Sequence, residues 1–106
     1  MNGRAAYQKG AKMAILAIFD NPNATTESYD RVGKNMNLQQ APPGAIFHAA
    51  CKRPGGGLFV VECWESEQAL RDFAKKLEPM IEQAGAPKRV EPKIYEVHRI
   101  RDRSNP

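Results

Sequence analysis

Ala45-Ile46-Phe47-His48-Ala49-Ala50-Cys51-Lys52, Arg53-Pro54-Gly55-Gly56-Gly57 and Leu58-Phe59-Val60-Val61-Glu62-Cys63-Trp64-Glu65 form one continuous stretch, and it decides the fold. Glycine tolerates the positive φ that a tight connection needs, so Arg53 to Gly57 reads as a turn. The flanking runs, Ala45 to Cys51 and Leu58 to Glu65, are short, apolar and rich in strand formers, which makes them the two arms of a hairpin. A turn centred near Gly55 places Cys51 opposite Phe59 and His48 opposite Glu62. Alternation along each strand then sorts the side chains onto two faces. One carries Phe47, Ala49, Cys51, Phe59, Val61 and Cys63, all apolar. The other carries Ile46, His48, Ala50, Leu58, Val60, Glu62 and Trp64, a mixed set in which an imidazole, a carboxylate and an indole lie close together.

Upstream, Met13 to Phe19 is a seven-residue apolar run closed by Asp20-Asn21-Pro22-Asn23, and reads as a buried strand. Thr25 or Thr26 can cap a helix carrying Tyr29, Val32 and Met36 on one side; Gly33 and the Asn35/Asn37 pair end it early. Pro42-Pro43-Gly44 separates that helix from the hairpin. Downstream, Ser66 is a plausible cap for a second helix, on which Leu70, Phe73, Leu77 and Ile81 form a stripe. Pro79 should kink or split this helix, and Gly85 and Pro87 stop it. Val90 to Ile100 reads as a fourth strand. The order β-α-β-β-α-β predicts an α+β, ferredoxin-like fold: a four-stranded antiparallel sheet with both helices on one face.

Two helices can cover only one face of such a sheet. The wholly apolar hairpin face therefore needs another cover, and a second copy of the sheet is the simplest, which predicts a homodimer through the sheet. The mixed face then lies beneath the helices. Burying His48 and Glu62 without partners is costly, so a pocket between sheet and helices is expected there.

The chain has 106 residues, 42% of them hydrophobic, which suits one globular domain. Its longest apolar run is far below the ~20 residues that span a bilayer, so no membrane partner is expected. The formal net charge of +4 sits at the ends. Arg4, Lys9 and Lys12 give the first twelve residues +3, and Arg99, Arg101 and Arg103 against Asp102 leave the last eight at +2, so residues 13–98 carry −1. A duplex-binding domain concentrates its positive charge on a folded face, so no nucleic-acid partner is expected. Residues 1–12 read as a flexible leader and 101–106 as a flexible tail, with 13–100 as the domain. Two cysteines do not make a disulfide framework, which favours a reducing cytoplasmic setting. Cys51 and Cys63 stand roughly 13 Å apart along the ladder, beyond the ~7 Å that a disulfide allows.

Pro43-Gly44, followed by a strand and then by Glu62-Cys63-Trp64-Glu65-Ser66-Glu67-Gln68-Ala69-Leu70, resembles the pattern of antibiotic-biosynthesis-monooxygenase-like domains of the dimeric α+β barrel superfamily. The element order matches over about residues 13–100, the motif over 62–70. The resemblance implies dimers whose sheets pack into a barrel, with a site in each subunit between sheet and helices. It implies activities such as oxygenation of polycyclic phenols without metal or flavin cofactor, or isomerisation. The heme-degrading branch uses an Asn on strand one, the Trp ending strand three and a His on helix two. Trp64 matches the Trp, but 13–19 holds no Asn and 66–85 no His, so the resemblance does not extend to heme degradation. Where many members carry an aromatic residue near position 48, this chain has His48.

His48 can exchange a proton near neutral pH, and Glu62 opposite it can fix its tautomer; these two are the candidate catalytic residues. The plainer alternative is a cross-strand pair that satisfies two half-buried groups. Trp64 can stack on a ligand or anchor helix two, and Tyr29 and Phe73 can line a pocket or fill a core. His98 falls at the opposite sheet edge from His48, so no metal site is expected. The leading expectation is a small monooxygenase-like enzyme acting on an apolar or aromatic ligand. A non-catalytic binding or stress-response module, and a purely structural dimer, are the alternatives. An enzyme requires a hollow of about 300 Å³ or more beside His48.

Overall fold

Turn chemistry and apolar alternation build six elements in the computed structural model, which describes residues 13–106. They are β1 (Ile15–Asn21), α1 (Thr26–Met36), β2 (Ala45–Lys52), β3 (Leu58–Trp64), α2 (Glu67–Gln83) and β4 (Lys93–Glu96). All strand pairs are antiparallel, in the sheet order β2-β3-β1-β4. This is a small α+β fold of the ferredoxin-like kind. The leader expected over residues 1–12 lies outside the described residues.

The hairpin register is the anticipated one: His48 pairs with Glu62 and Cys51 with Phe59. The ladder is interrupted once, between Ala45 and Phe47, by an irregularity that sets Ala45 opposite Trp64. Ala45 packs on the core there, while Ile46, expected on the mixed face, is left exposed. One extra residue in a strand shifts alternation by one, and only pairing reveals it.

Three expectations need correction. The first strand runs from Ile15 to Asn21, two residues later than the apolar run, because pairing with β3 extends to Asn21 opposite Leu58. The fourth strand keeps only Lys93–Glu96, paired with Ile18–Ile15; Pro92 immediately before it has no backbone N–H to give to the ladder. Pro79 does not split α2, which is one helix from Glu67 to Gln83. Proline removes one backbone donor; Pro79 sits on the exposed side, and burial of Leu70 and Leu77 opposite holds the helix together.

Caps fix both helices. Thr25 and Ser28 form a reciprocal capping box at the start of α1, and Asn37 in the left-handed region ends it. Ser66 caps α2 by accepting from the Ala69 amide at 3.1 Å. Gly44, with φ +83°, has its Cα so close to α2 that a Cβ would stand 2.6 Å from that of Ala69. Its carbonyl accepts from the Glu65 amide at 2.8 Å, tying the start of β2 to the end of β3. The Gly44 and Glu62–Leu70 motif is thus a packing device: glycine, indole, cap and alanine lock α2 against the sheet. The core beneath is Ile15, Ala17, Phe19, Trp64 and Leu70. The mixed face therefore looks toward the helices, as the sequence predicts.

Candidate functional site

Between the helices and this face lies a cavity of about 490 Å³. It exceeds the hollow that an enzyme reading requires. Its walls are mostly apolar, with Val32 and Met36 from α1, Phe73, Leu77 and Ile81 from α2, and Trp64 from β3. Trp64 and Phe73 pack with ring centroids 5.5 Å apart. Amphipathic spacing on both helices produces this wall, since every third or fourth residue turns toward the sheet.

At the centre of the polar part is Glu62, only 3% exposed. Its Oε1 accepts from Trp64 Nε1 at 2.9 Å, two residues on along the same strand face. Its Oε2 accepts from His48 Nδ1 at 3.2 Å across the hairpin and from Arg89 Nη2 at 3.2 Å. Arg89 also lays its guanidinium carbon 3.8 Å above the centre of the Phe19 ring. His48 Nε2 in turn meets the hydroxyl of Tyr29, and the two rings stack with centroids 5.8 Å apart. Five side chains from α1, β2, β3 and the segment before β4 thus form one chain of contacts, Tyr29–His48–Glu62–Arg89 with Trp64 at its side.

Electrostatics orient that chain. Burial alone would raise the Glu62 carboxyl, but the His48 hydrogen bond, the Arg89 charge and the Trp64 N–H outweigh it and hold the group below its usual range. Glu62 is therefore ionised and can only accept, so Nδ1 of His48 carries a hydrogen. In the uncharged form of the ring, Nε2 is then a lone pair that a hydroxyl can donate to. Tyr29 is held above the usual phenol range by burial, then by the charges of Glu62 and Asp30, against a smaller opposing effect of Arg89. Its hydroxyl stays protonated and donates to Nε2. Burial lowers Arg89, with Glu62 the main opposing influence.

All five residues singled out from the sequence, His48, Glu62, Trp64, Tyr29 and Phe73, border this cavity. Arg89 was not among them. A buried carboxylate demands a cation, so its existence could be inferred, but Lys88 and Arg89 adjoin each other and only the fold chooses between them. Asn21 is a second addition. Because β1 runs two residues further than expected, an Asn does stand on the first strand, 8% exposed. Its Oδ1 accepts from the Asn23 amide at 3.0 Å and its Nδ2 donates to the Lys88 carbonyl at 3.5 Å, which fastens a turn. No histidine lies on α2.

Cys51 and Cys63 are free thiols. Among the described residues, no three His, Cys, Asp or Glu side chains converge to hold a metal, and no helix is long and apolar enough to cross a membrane. His48 on β2 and the segment carrying His98 beyond β4 are at opposite ends of the sheet order.

No family model and no curated protein sequence matches the chain. Among solved structures, a conserved protein from Methanosarcina mazei Go1 is similar at a TM-score of 0.51 and 18% identity, over 79% of this chain and 92% of that one. At that identity the likeness concerns the fold alone.

Proposed function

We propose that this chain is a small monooxygenase-like enzyme of the antibiotic-biosynthesis-monooxygenase-like kind, which binds an apolar or aromatic molecule between its sheet and helices. The observation that carries this reading is the buried Glu62, whose two oxygens are fully engaged and which fixes His48 as a base beside an apolar cavity. Trp64 and Phe73 offer flat surfaces to an aromatic ring. The substrate's hydroxyl passes its proton to the Tyr29 oxygen as the Tyr29 hydrogen moves to His48 Nε2, and the Glu62 carboxylate stabilises the imidazolium that forms. Dioxygen then reacts with the phenolate itself, without metal or flavin: a C–O bond forms at a ring carbon, that carbon loses its hydrogen to become the quinone carbonyl, the substrate supplies the electrons, and the second oxygen atom leaves as water.

The functional unit in this reading is a cytoplasmic homodimer joined through the other sheet face. That face presents Leu16, Ile18, Phe59, Val61, Phe47 and Tyr95 by strand alternation, with Phe47 47% and Tyr95 51% exposed. Exposed aromatic side chains in a contiguous sheet face mark an interface.

The test is oxygen uptake by the purified protein with a panel of polycyclic phenols. Turnover is expected, falling about 10²-fold or more in His48→Ala with little change in binding. Binding without oxygen uptake or any other conversion would favour the non-catalytic module.

A further inference from the structure

We infer that Tyr29 is the ligand-contacting residue of this cavity, and that its hydroxyl, turned into a hydrogen-bond acceptor by His48 and Glu62, selects a hydroxyl-bearing aromatic over the matching ether. The inference rests on the reading of the cavity as a ligand site and goes beyond it by assigning the polarity of its one directed polar contact.

The direction of each hydrogen bond follows from the one before. Glu62 is 3% exposed and accepts from Trp64, Arg89 and His48 Nδ1. Its ionised oxygens cannot donate, so His48 must supply the hydrogen at Nδ1. A neutral imidazole with hydrogen on Nδ1 presents a bare lone pair at Nε2. Tyr29 meets that atom with its hydroxyl and so commits its only hydrogen there. What Tyr29 has left for the cavity is oxygen lone pairs. Arg89 cannot reverse this arrangement, since it stands on the far side of Glu62 and has no hydrogen bond to Tyr29 among the described contacts. Most of the remaining wall is apolar, with Val32, Met36, Phe73, Leu77 and Ile81; of its other polar side chains Asn21 is engaged with Asn23 and Lys88 and Ser28 with Thr25, and Asp30 is the further acceptor on it. A ligand with an O–H therefore completes the chain ligand–Tyr29–His48–Glu62, whereas an ether or ketone meets lone pair with lone pair.

Trp64 is the only tryptophan of the chain and borders the cavity, so its fluorescence reports occupancy. The probes are para-propylphenol and para-propylanisole, alike in shape apart from the hydrogen. Tyr29 is 36% exposed, and one hydrogen bond made or missed there corresponds to up to about tenfold in affinity. The phenol is expected to bind the natural protein about tenfold more tightly than the anisole. Tyr29→Phe should reduce that gap to about twofold or less by weakening the phenol alone. His48→Phe frees the Tyr29 hydrogen, and it should narrow the gap by tightening the anisole, an effect that simple damage to the cavity would not produce. Equal binding of the two probes by the natural protein, or a gap that survives in Tyr29→Phe, would overturn the inference while leaving the ligand site standing. If neither probe alters Trp64 emission, the ligand-site reading itself fails and this inference with it.

Discussion

The two faces of this sheet reverse the usual distribution of polarity. The face under the helices, which in most proteins of this kind is purely apolar, holds a carboxylate, an imidazole and a guanidinium. The open face carries Asp20 and Lys93 but also the half-buried Leu16, Ile18, Phe59 and Val61 and the well-exposed rings of Phe47 and Tyr95. The difference shows in the ion pairs as well. Glu62 and Arg89 are paired inside, with side-chain exposures of 4% and 22%, while Asp20 and Arg53 are paired at 2.6 Å with exposures of 57% and 32%. Buried charge is costly unless a function or a full set of partners sustains it, and exposed apolar surface is unfavourable unless another surface covers it. The proposed ligand site would account for the first feature and the proposed dimer for the second.

The contrast can be broken most forcefully at Glu62. Replacing it by Ala leaves Arg89, Trp64 Nε1 and His48 Nδ1 facing a void, and should cost about 3–5 kcal/mol in urea unfolding. A loss below about 1 kcal/mol would mean that water satisfies these groups and that the interior is not dry. Next comes the open face. Phe47→Lys places a charge on its β2 edge and, in the proposed dimer, should shift sedimentation from dimer to monomer, weakening association by about 2 kcal/mol or more. A protein that sediments as a monomer before any substitution would remove the partner from the account.

The pH dependence sharpens the comparison further. The carboxyl of Glu62 titrates lower folded than unfolded, so it contributes stability at pH values above the ordinary carboxylate range, and that contribution fades as pH falls through the folded-state value. Glu62→Gln should therefore flatten the acid limb of stability measured by denaturant titration. The smallest effect belongs to the exposed pair: Arg53→Ala should cost about 1 kcal/mol or less, and diminish further with salt.

Much of this arrangement is legible in the residues themselves. Alternation in Phe59 to Trp64 separates the two faces, and the glycines after Pro54 set the register that brings His48 opposite Glu62. Gly57 must be glycine, since at φ +98° a Cβ would stand 2.4 Å from the Asn21 carbonyl oxygen. Helical spacing places Tyr29 and Phe73 on the sheet side. What could not be read was anything that depends on where two distant segments meet. The span of β1 is set by its pairing with β3, and the register shift between Ala45 and Phe47 shows only in the pairing of β2 with β3.

Sequence by itself determined the order of elements, the hairpin register and the polarity of each face, because these follow from local φ/ψ preferences and a two-residue side-chain period. Only the tertiary structure decided that Arg89 rather than Lys88 neutralises Glu62, and that the Tyr29 hydroxyl ends on His48 Nε2. Those contacts join positions far apart in the chain, and their directions depend on which side-chain atoms approach within hydrogen-bond range, a property of packing that no local pattern encodes.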